Sequence, residues 1–440
     1  MKVLMYGWEY PPYISGGLGV ACHAIVHALT KKNILINLVL PHDFSSHSAS
    51  STETLVNLIG VDLYDEQIAV TSSNLINICQ IDSLLHPYFS TNEYQNFIEE
   101  KNNPNQKNHK KKLIVKQTID HHSPDFTPIK ITACYGDNLF NEVLRYSEIA
   151  GRLAEQISHD VIHVHDWMTI LAGIKAKSIS KKPLIFHTHA LEIDRSGTKN
   201  YNRQIFDIEK YGMEQADKVI AVSNYTKNII TSHYGIPANK IEVVYNGIEQ
   251  SNIKHKINTK SSKTKMVLFL GRITQQKGPS FFIAIAKKIL DKRKDVQFVI
   301  AGTGHLLAEM IEQVAALRIG KYVHFTGFLD QKTVKKIYQL ADVYVMPSVS
   351  EPFGLSCLEA LSEDVPVVIS KQSGVAEALH NTLNADFWDT DDMAAKILAV
   401  LAYKGLGAEL ITNAKKEMEH LTWDIAGDKI ISVYNNLTGS

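Results

Sequence analysis

Short apolar runs recur along the chain, and most are followed by turn-forming or polar residues and then by a stretch with helical period. In the first half, Lys2–Tyr6, Ile34–Leu40, Val161–Val164, Leu184–Phe186, Val219–Val222 and Ile241–Val244 have the length and composition of buried strands. Val20–Leu29 and Asn138–Ile157 show helical spacing, and a further helix is predicted from Asn224, with Ser223 as its N-cap. In the second half, Met266–Leu270, Val296–Ile300, Tyr322–Phe325, Val343–Met346 and Pro366–Ile369 alternate with helical segments, and the stretch Ala408–Leu437 is helical. This alternation predicts an α/β chain of two doubly wound, parallel-sheet domains facing a cleft, with ligands outside the carboxyl ends of the strands. Residues 42–130 break the pattern. Their periodicity is weak, and the polar run Lys101–Lys112 predicts a mobile loop.

A length of 440 residues agrees with this division, since domains of about 200 residues are the natural size. The expected boundaries are 1–249 for the first domain, 250–265 for a Ser-, Lys- and Asn-rich linker, 266–407 for the second domain and 408–440 for a terminal helical segment. Lys+Arg and Asp+Glu both total 46, which argues against a nucleic-acid partner held by bulk charge. The four cysteines, Cys22, Cys79, Cys134 and Cys357, show no C-x-x-C spacing. Such sparse cysteine suits a reducing, cytoplasmic compartment. No apolar run reaches membrane-spanning length, and Glu9, Pro11 and Pro12 interrupt the N-terminus before a signal-peptide core forms. The basic cluster Lys107–Lys116 is either a solvated loop or a point of peripheral membrane contact.

The densest chemistry lies in Glu351-Pro352-Phe353-Gly354-Leu355-Ser356-Cys357-Leu358-Glu359, directly after the predicted strand Val343–Met346. Gly354 and Leu355 open a helix whose N-terminal N–H groups suit a phosphate or a sugar hydroxyl. Glu351 and Glu359 are carboxylates able to hold hydroxyl pairs. Gly271-Arg272 and Lys277 follow the first strand of the second half and offer two cations to a pyrophosphate; a solvated basic loop is the competing reading. Gly16 and Gly17, in Gly16-Gly17-Leu18-Gly19, sit where backbone approaches an oxygen-rich ligand, or form a plain turn. Strict G-x-G-x-x-G is absent, which speaks against a dinucleotide site. His189 stands at a strand's carboxyl end, while alternation turns His187 inward. His163-Val164-His165-Asp166-Trp167 places two histidines at i,i+2, on one face if the strand continues. No third ligand is evident there, so no metal is expected. Asp389-Thr390-Asp391 is read as a helix N-cap rather than a metal motif.

Taken in order, the glycine-rich loop, H-x-H-D-W, the His189 segment, Asn246-Gly247, Gly271-Arg272 with Lys277, and E-x7-E resemble retaining glycosyltransferases of the GT-B fold, in family 4 and the related glycogen synthases. One departure stands out: glycogen synthases carry Lys two residues before the paired glycines, and here that residue is Ile14. The resemblance implies two Rossmann-like domains, with a nucleotide-sugar on the second, an acceptor mainly on the first, and closure excluding water. It implies that Arg272 and Lys277 hold the leaving diphosphate, which takes the acceptor proton in a same-face displacement. His189 holds the sugar, Glu351 the sugar hydroxyls or the anomeric charge, and Glu359 the ribose. Gly302 and Phe353 join the donor site, with Gly327 and Phe328 as further candidates; Asp166 bonds an acceptor hydroxyl or orders its loop, and Trp167 stacks on an acceptor sugar or simply packs. No cofactor is implied, the donor being a substrate. Transfer of glucose from ADP- or UDP-glucose to an α-glucan is the first expectation. A lipid or lipopolysaccharide acceptor is the alternative within the family. A GT-B protein that has lost catalysis, a phosphorylase or an epimerase are the alternatives outside it.

Overall fold

A computed structural model describes residues 1–11, 16–41, 56–61, 68–70, 76–81, 139–196, 201–249 and 264–439. Ile14, most of the 42–130 stretch, the Lys107–Lys116 cluster and the linker residues 250–263 lie outside the described residues. Among the described residues, one sheet has nine strands: β1 (Lys2–Tyr6), β2 (Leu35–Leu40), β3 (Val56–Val61), β4 (Ile68–Val70), β5 (Ile76–Ile81), β6 (Val161–His165), β7 (Leu184–Thr188), β8 (Lys218–Ala221) and β9 (Ile241–Val243). Their order is β4-β3-β5-β2-β1-β6-β7-β8-β9, and β4 pairs antiparallel to β3. The other sheet has six: β10 (Lys265–Leu270), β11 (Val296–Ala301), β12 (Val323–Gly327), β13 (Val343–Met346), β14 (Val367–Ser370) and β15 (Leu383–Ala385). They run in the order β12-β11-β10-β13-β14-β15, and every pairing is parallel.

Strands predicted from the apolar runs fall within two residues of those observed. The pattern does not predict β3, β4, β5 or β15, which are short or lie in the weakly periodic stretch. The glycine-rich segment also differs. Its helix begins at Gly17, so Gly17, Leu18 and Gly19 form a first turn rather than a loop, with Gly16 at the N-cap. Ser223 caps the helix Asn224–Ile229 by accepting from the Thr226 N–H at 3.0 Å. Asp389 caps Thr390–Ala402 by accepting from the Asp392 N–H at 2.9 Å. The terminal segment forms two helices, Lys404–Met418 and Trp423–Thr438. No described helix is long and apolar enough to cross a membrane.

By internal contacts the chain divides into two compact units. One comprises Met1–His187, Tyr211–Val219 and Ile431–Ser440; the other comprises Thr188–Lys210 and Ile220–Ile430. In the second unit, the period-2 geometry of a strand sorts its residues onto two cores. Val267, Phe269, Phe298, Ile300, Val343 and Val345 join one cluster with Phe282, Ile285 and Ile289 of the helix Pro279–Lys292. Leu268, Val299, Tyr344 and Met346 point the other way, into a cluster with Leu358 and Leu361 of the helix Leu355–Ser362. Buried on both faces, these strands carry no polar alternation, which is why they are visible as continuous apolar runs. The strand order reverses between β10 and β13, and in an open parallel sheet that reversal opens a crevice at the carboxyl ends.

Candidate functional site

The crevice of the six-stranded sheet is bordered by the loops that follow β10 and β13. The first carries Arg272 and passes through a single turn, Gln275–Lys277, into the helix Pro279–Lys292. The second runs from Pro347 to Gly354, which caps the helix Leu355–Ser362 without any side-chain hydrogen bond. Backbone joins the two loops: the Val349 N–H donates to the Gln276 carbonyl at 2.9 Å. Gly278 lets them close up, since a Cβ there would stand 2.1 Å from the Pro347 carbonyl oxygen.

Across this closure the Lys277 ammonium donates to Glu351 Oε2 at 2.6 Å, and Ser348 Oγ donates to the same oxygen at 3.1 Å. The Glu351 side chain is 8% exposed and that of Lys277 22%. Two residues 74 positions apart in sequence, each singled out separately, therefore form one charged centre at the switch point. Arg272 lies on the same loop and donates to Gln276 Oε1 at 3.4 Å. Gly302, after β11, presses on Gly271 backbone and donates its N–H to the Gly327 carbonyl at 2.9 Å. Glu359 sits on the helix, accepting from the Tyr338 hydroxyl at 3.2 Å, and burial pushes its carboxyl above the usual range. Leu355 is half-buried at the first helical position. The Phe353 ring is buried in the core beside Tyr245, with centroids 6.0 Å apart, and its carbonyl accepts from the Val375 N–H at 2.7 Å. Phe328 is exposed.

His189 belongs to this same unit. Its Nδ1 is buried although the residue keeps some exposed surface, and desolvation lowers its pKa to about 3. At neutral pH the ring is an uncharged hydrogen-bonding group, not a cation. The helix Glu192–Ser196 that follows packs on the Gln275–Lys277 turn. Buried Glu209 fastens it: the Glu192 N–H reaches both of its oxygens at 3.0 Å, the Arg195 guanidinium donates at 2.9 Å and the Tyr234 hydroxyl at 2.5 Å. Asp194, equally buried, accepts from Ser350 Oγ at 2.5 Å and from the Leu191 N–H at 2.9 Å. Sequence reasoning assigned no role to Asp194, Glu209, Tyr338 or Ser350. The available signal was the packing of three charged residues, Glu192, Asp194 and Arg195, into four positions just after a buried strand.

Gly16, Gly17, Asp166 and Trp167 lie in the other unit, whose sheet reverses order between β1 and β6. Of the two readings of Trp167, stacking on a sugar or packing, the structure shows packing: it is buried, first in the helix Trp167–Ser180, with its ring centroid 5.8 Å from that of Phe140. Asp166 is buried at the N-cap with φ 59° and ψ 176°, a region that side chains other than glycine's rarely enter. Its N–H donates to the His187 carbonyl at 3.0 Å. Holding Asp166 there carries strain that a glycine relieves. Asp166→Gly and Asp166→Ala lose the same carboxylate, so the glycine variant is expected to be the more stable by about 1 kcal/mol or more in urea unfolding.

The two histidines of H-x-H-D-W do share a face, with ring centroids 4.5 Å apart, because β6 continues to His165. His187 joins them, giving three buried imidazoles with a nitrogen from each within 4.8 Å of the others. Both nitrogens of His163 have partners, the Tyr434 hydroxyl at 2.5 Å and His187 Nδ1 at 3.2 Å, and the His165 ring stacks against that of His163.

Comparison with known proteins agrees with this fold. The family model "Glycosyl transferases group 1" matches residues 250–417, and "Glycosyltransferase Family 4" matches residues 111–252. The chain is 29% identical to an uncharacterized glycosyltransferase of Methanocaldococcus jannaschii, over 99% of this chain and 98% of that protein. It is 25% identical to the glycogen synthase of Mycobacterium tuberculosis, over 96% of this chain and 91% of the relative. Among solved structures, Anabaena HepE in complex with UDP-glucose superposes with a TM-score of 0.64 at 16% identity, covering 99% of this chain and all of that one.

Proposed function

We propose that the chain, which matches two glycosyltransferase family models and shares the fold of HepE, is a retaining GT-B transferase moving glucose from UDP- or ADP-glucose to an acceptor hydroxyl, with an α-glucan as the acceptor. The observation that carries the reading is the Lys277–Glu351 pair at the switch point of the six-stranded sheet, beside the helix N-terminus at Gly354. The glucan assignment draws on the likeness to glycogen synthase along nearly the whole chain, and the glucosyl donor on the HepE complex.

In this reading the diphosphate lies over Arg272, Lys277 and the backbone of Gly302. As the glycosidic bond breaks, charge builds on the leaving oxygen. The cations beside it favour that state over the bound donor, with no metal required. Glu351, relieved of part of its pairing, faces the sugar and the positive charge at the anomeric carbon. The leaving phosphate oxygen takes the acceptor's proton on the same face. Neutral His189 holds a sugar hydroxyl, and Glu359 takes the ribose hydroxyls.

Thermal-shift and calorimetric titration with UDP, ADP, GDP and their glucose conjugates tests this. A selective shift by UDP- or ADP-glucose, reduced about 10-fold or more in affinity by Arg272→Ala, is the expected result. Binding of none of them would remove the reading.

A further inference from the structure

Three segments far apart in sequence meet at the Ser350 hydroxyl within the second unit. Asp194 is 1% exposed, on the helix that follows His189 and packs on the Lys277 turn. Its Oδ1 accepts from Ser350, the residue immediately before Glu351, at 2.5 Å. Ser350 in turn meets the Tyr225 hydroxyl at 3.0 Å. A serine hydroxyl has one proton, and here it points at a carboxylate, so Tyr225 is the donor in that second bond. The relay Tyr225–Ser350–Asp194 therefore pins the backbone one residue before Glu351, while Oδ2 of the same carboxyl holds the Leu191 N–H, two residues past His189, at 2.9 Å. On its other side, the Glu351 N–H donates to the Gln372 carbonyl at 2.9 Å.

We propose that Asp194, acting through Ser350, is a positioning residue for transfer: it fixes the Glu351 carboxylate relative to Lys277 and His189. The inference rests on the reading of this site as a transferase centre. A group that sets geometry without touching the diphosphate acts on the chemical step. Misplacement by about 1 Å of a reacting group lowers rate by up to about 100-fold. The donor's affinity, held elsewhere by Arg272 and Lys277, stays nearly constant.

The test compares Ser350→Ala, Asp194→Asn and the double variant in transfer kinetics with UDP- and ADP-glucose, with calorimetric counting of UDP or ADP sites on each protein. Expected are a fall in kcat of about 10-fold or more in each single variant, donor KM within about 2-fold, a full complement of nucleotide sites, and a double variant no slower than the slower single one. Unchanged kcat in Ser350→Ala overturns the inference. So does a fall in kcat matched by an equal loss of nucleotide sites, which is what a purely structural role produces. If the unaltered chain transfers no sugar, the functional reading fails and takes this inference with it. If the unaltered chain is active and Ser350→Ala equals it, only the positioning role fails.

Discussion

Glu351→Gln is expected to lower transfer by about 10²–10³-fold while free UDP or ADP binds more tightly than to the unaltered chain. Both effects come from one contact. The Glu351 carboxylate sits 2.6 Å from the Lys277 ammonium in a pocket that leaves it 8% exposed. An arriving diphosphate must share Lys277 with that carboxylate and approach a second negative charge. The amide removes the competition and the repulsion together. The same amide no longer answers positive charge at the anomeric carbon, so the state that profits least from the change is the transition state. Lys277 also loses its partner in the empty protein. Stability without ligand should therefore fall by about 1–3 kcal/mol, and saturating nucleotide should restore it by linkage. Single-turnover transfer, nucleotide calorimetry and urea unfolding with and without UDP or ADP check the three parts. Weaker nucleotide binding by the glutamine variant would mean that Glu351 does not oppose the diphosphate.

The inner strands β10, β11, β13 and β14 of the six-stranded sheet were legible because they are buried on both faces. Val343–Met346 and Met266–Leu270 are unbroken apolar runs, and each ends in glycine, proline or charge. The same alternation puts the loops that follow the strands at their carboxyl ends, and Arg272, Lys277 and Glu351 were named there; the strand order that brings them to one crevice came from the structure. What the pattern could not give were side-chain partners of high sequence separation. Nothing at Asp194 or Ser350 announces a bond across 156 residues, since Asp and Ser have ordinary surface roles and only the fold buries these two. Trp167 had two readings, stacking on a sugar or simply packing, and the sequence could not choose between them; a large ring next to a tight turn seals a core, and both Trp167 and Phe353 are buried. His163 and His165 were correctly placed on one face, but the third ring, His187, comes from the neighbouring strand by register, with His165 opposite His187. Short strands such as β15, three residues long, carry too little pattern to be seen.

Gly302→Ala is expected to be the most damaging single substitution for the second unit, costing about 3 kcal/mol or more and removing measurable donor binding. Gly302 has φ 136°, and a Cβ built on it lies 2.0 Å from the Gly271 carbonyl oxygen and 3.0 Å from the Gly271 carbonyl carbon. Those atoms are backbone, so no side-chain rotation relieves the overlap; the loop after β11 has to leave the loop after β10. Leaving breaks a zipper in which the Ile273 N–H donates to Thr303 at 2.8 Å and the Leu306 N–H to Ile273 at 3.2 Å. Arg272 lies between the two residues so anchored, Gly271 and Ile273, and shifts with them. Gly327→Ala supplies the control. Gly327 has φ 71°, but a Cβ there meets nothing within 4 Å, so its variant suffers only the left-handed penalty of about 1–2 kcal/mol. Urea unfolding and nucleotide calorimetry on the two variants separate clash from strain. Equal destabilisation would mean that the loops are free to part, whereas loss of binding in Gly302→Ala alone ties the donor site to this backbone contact.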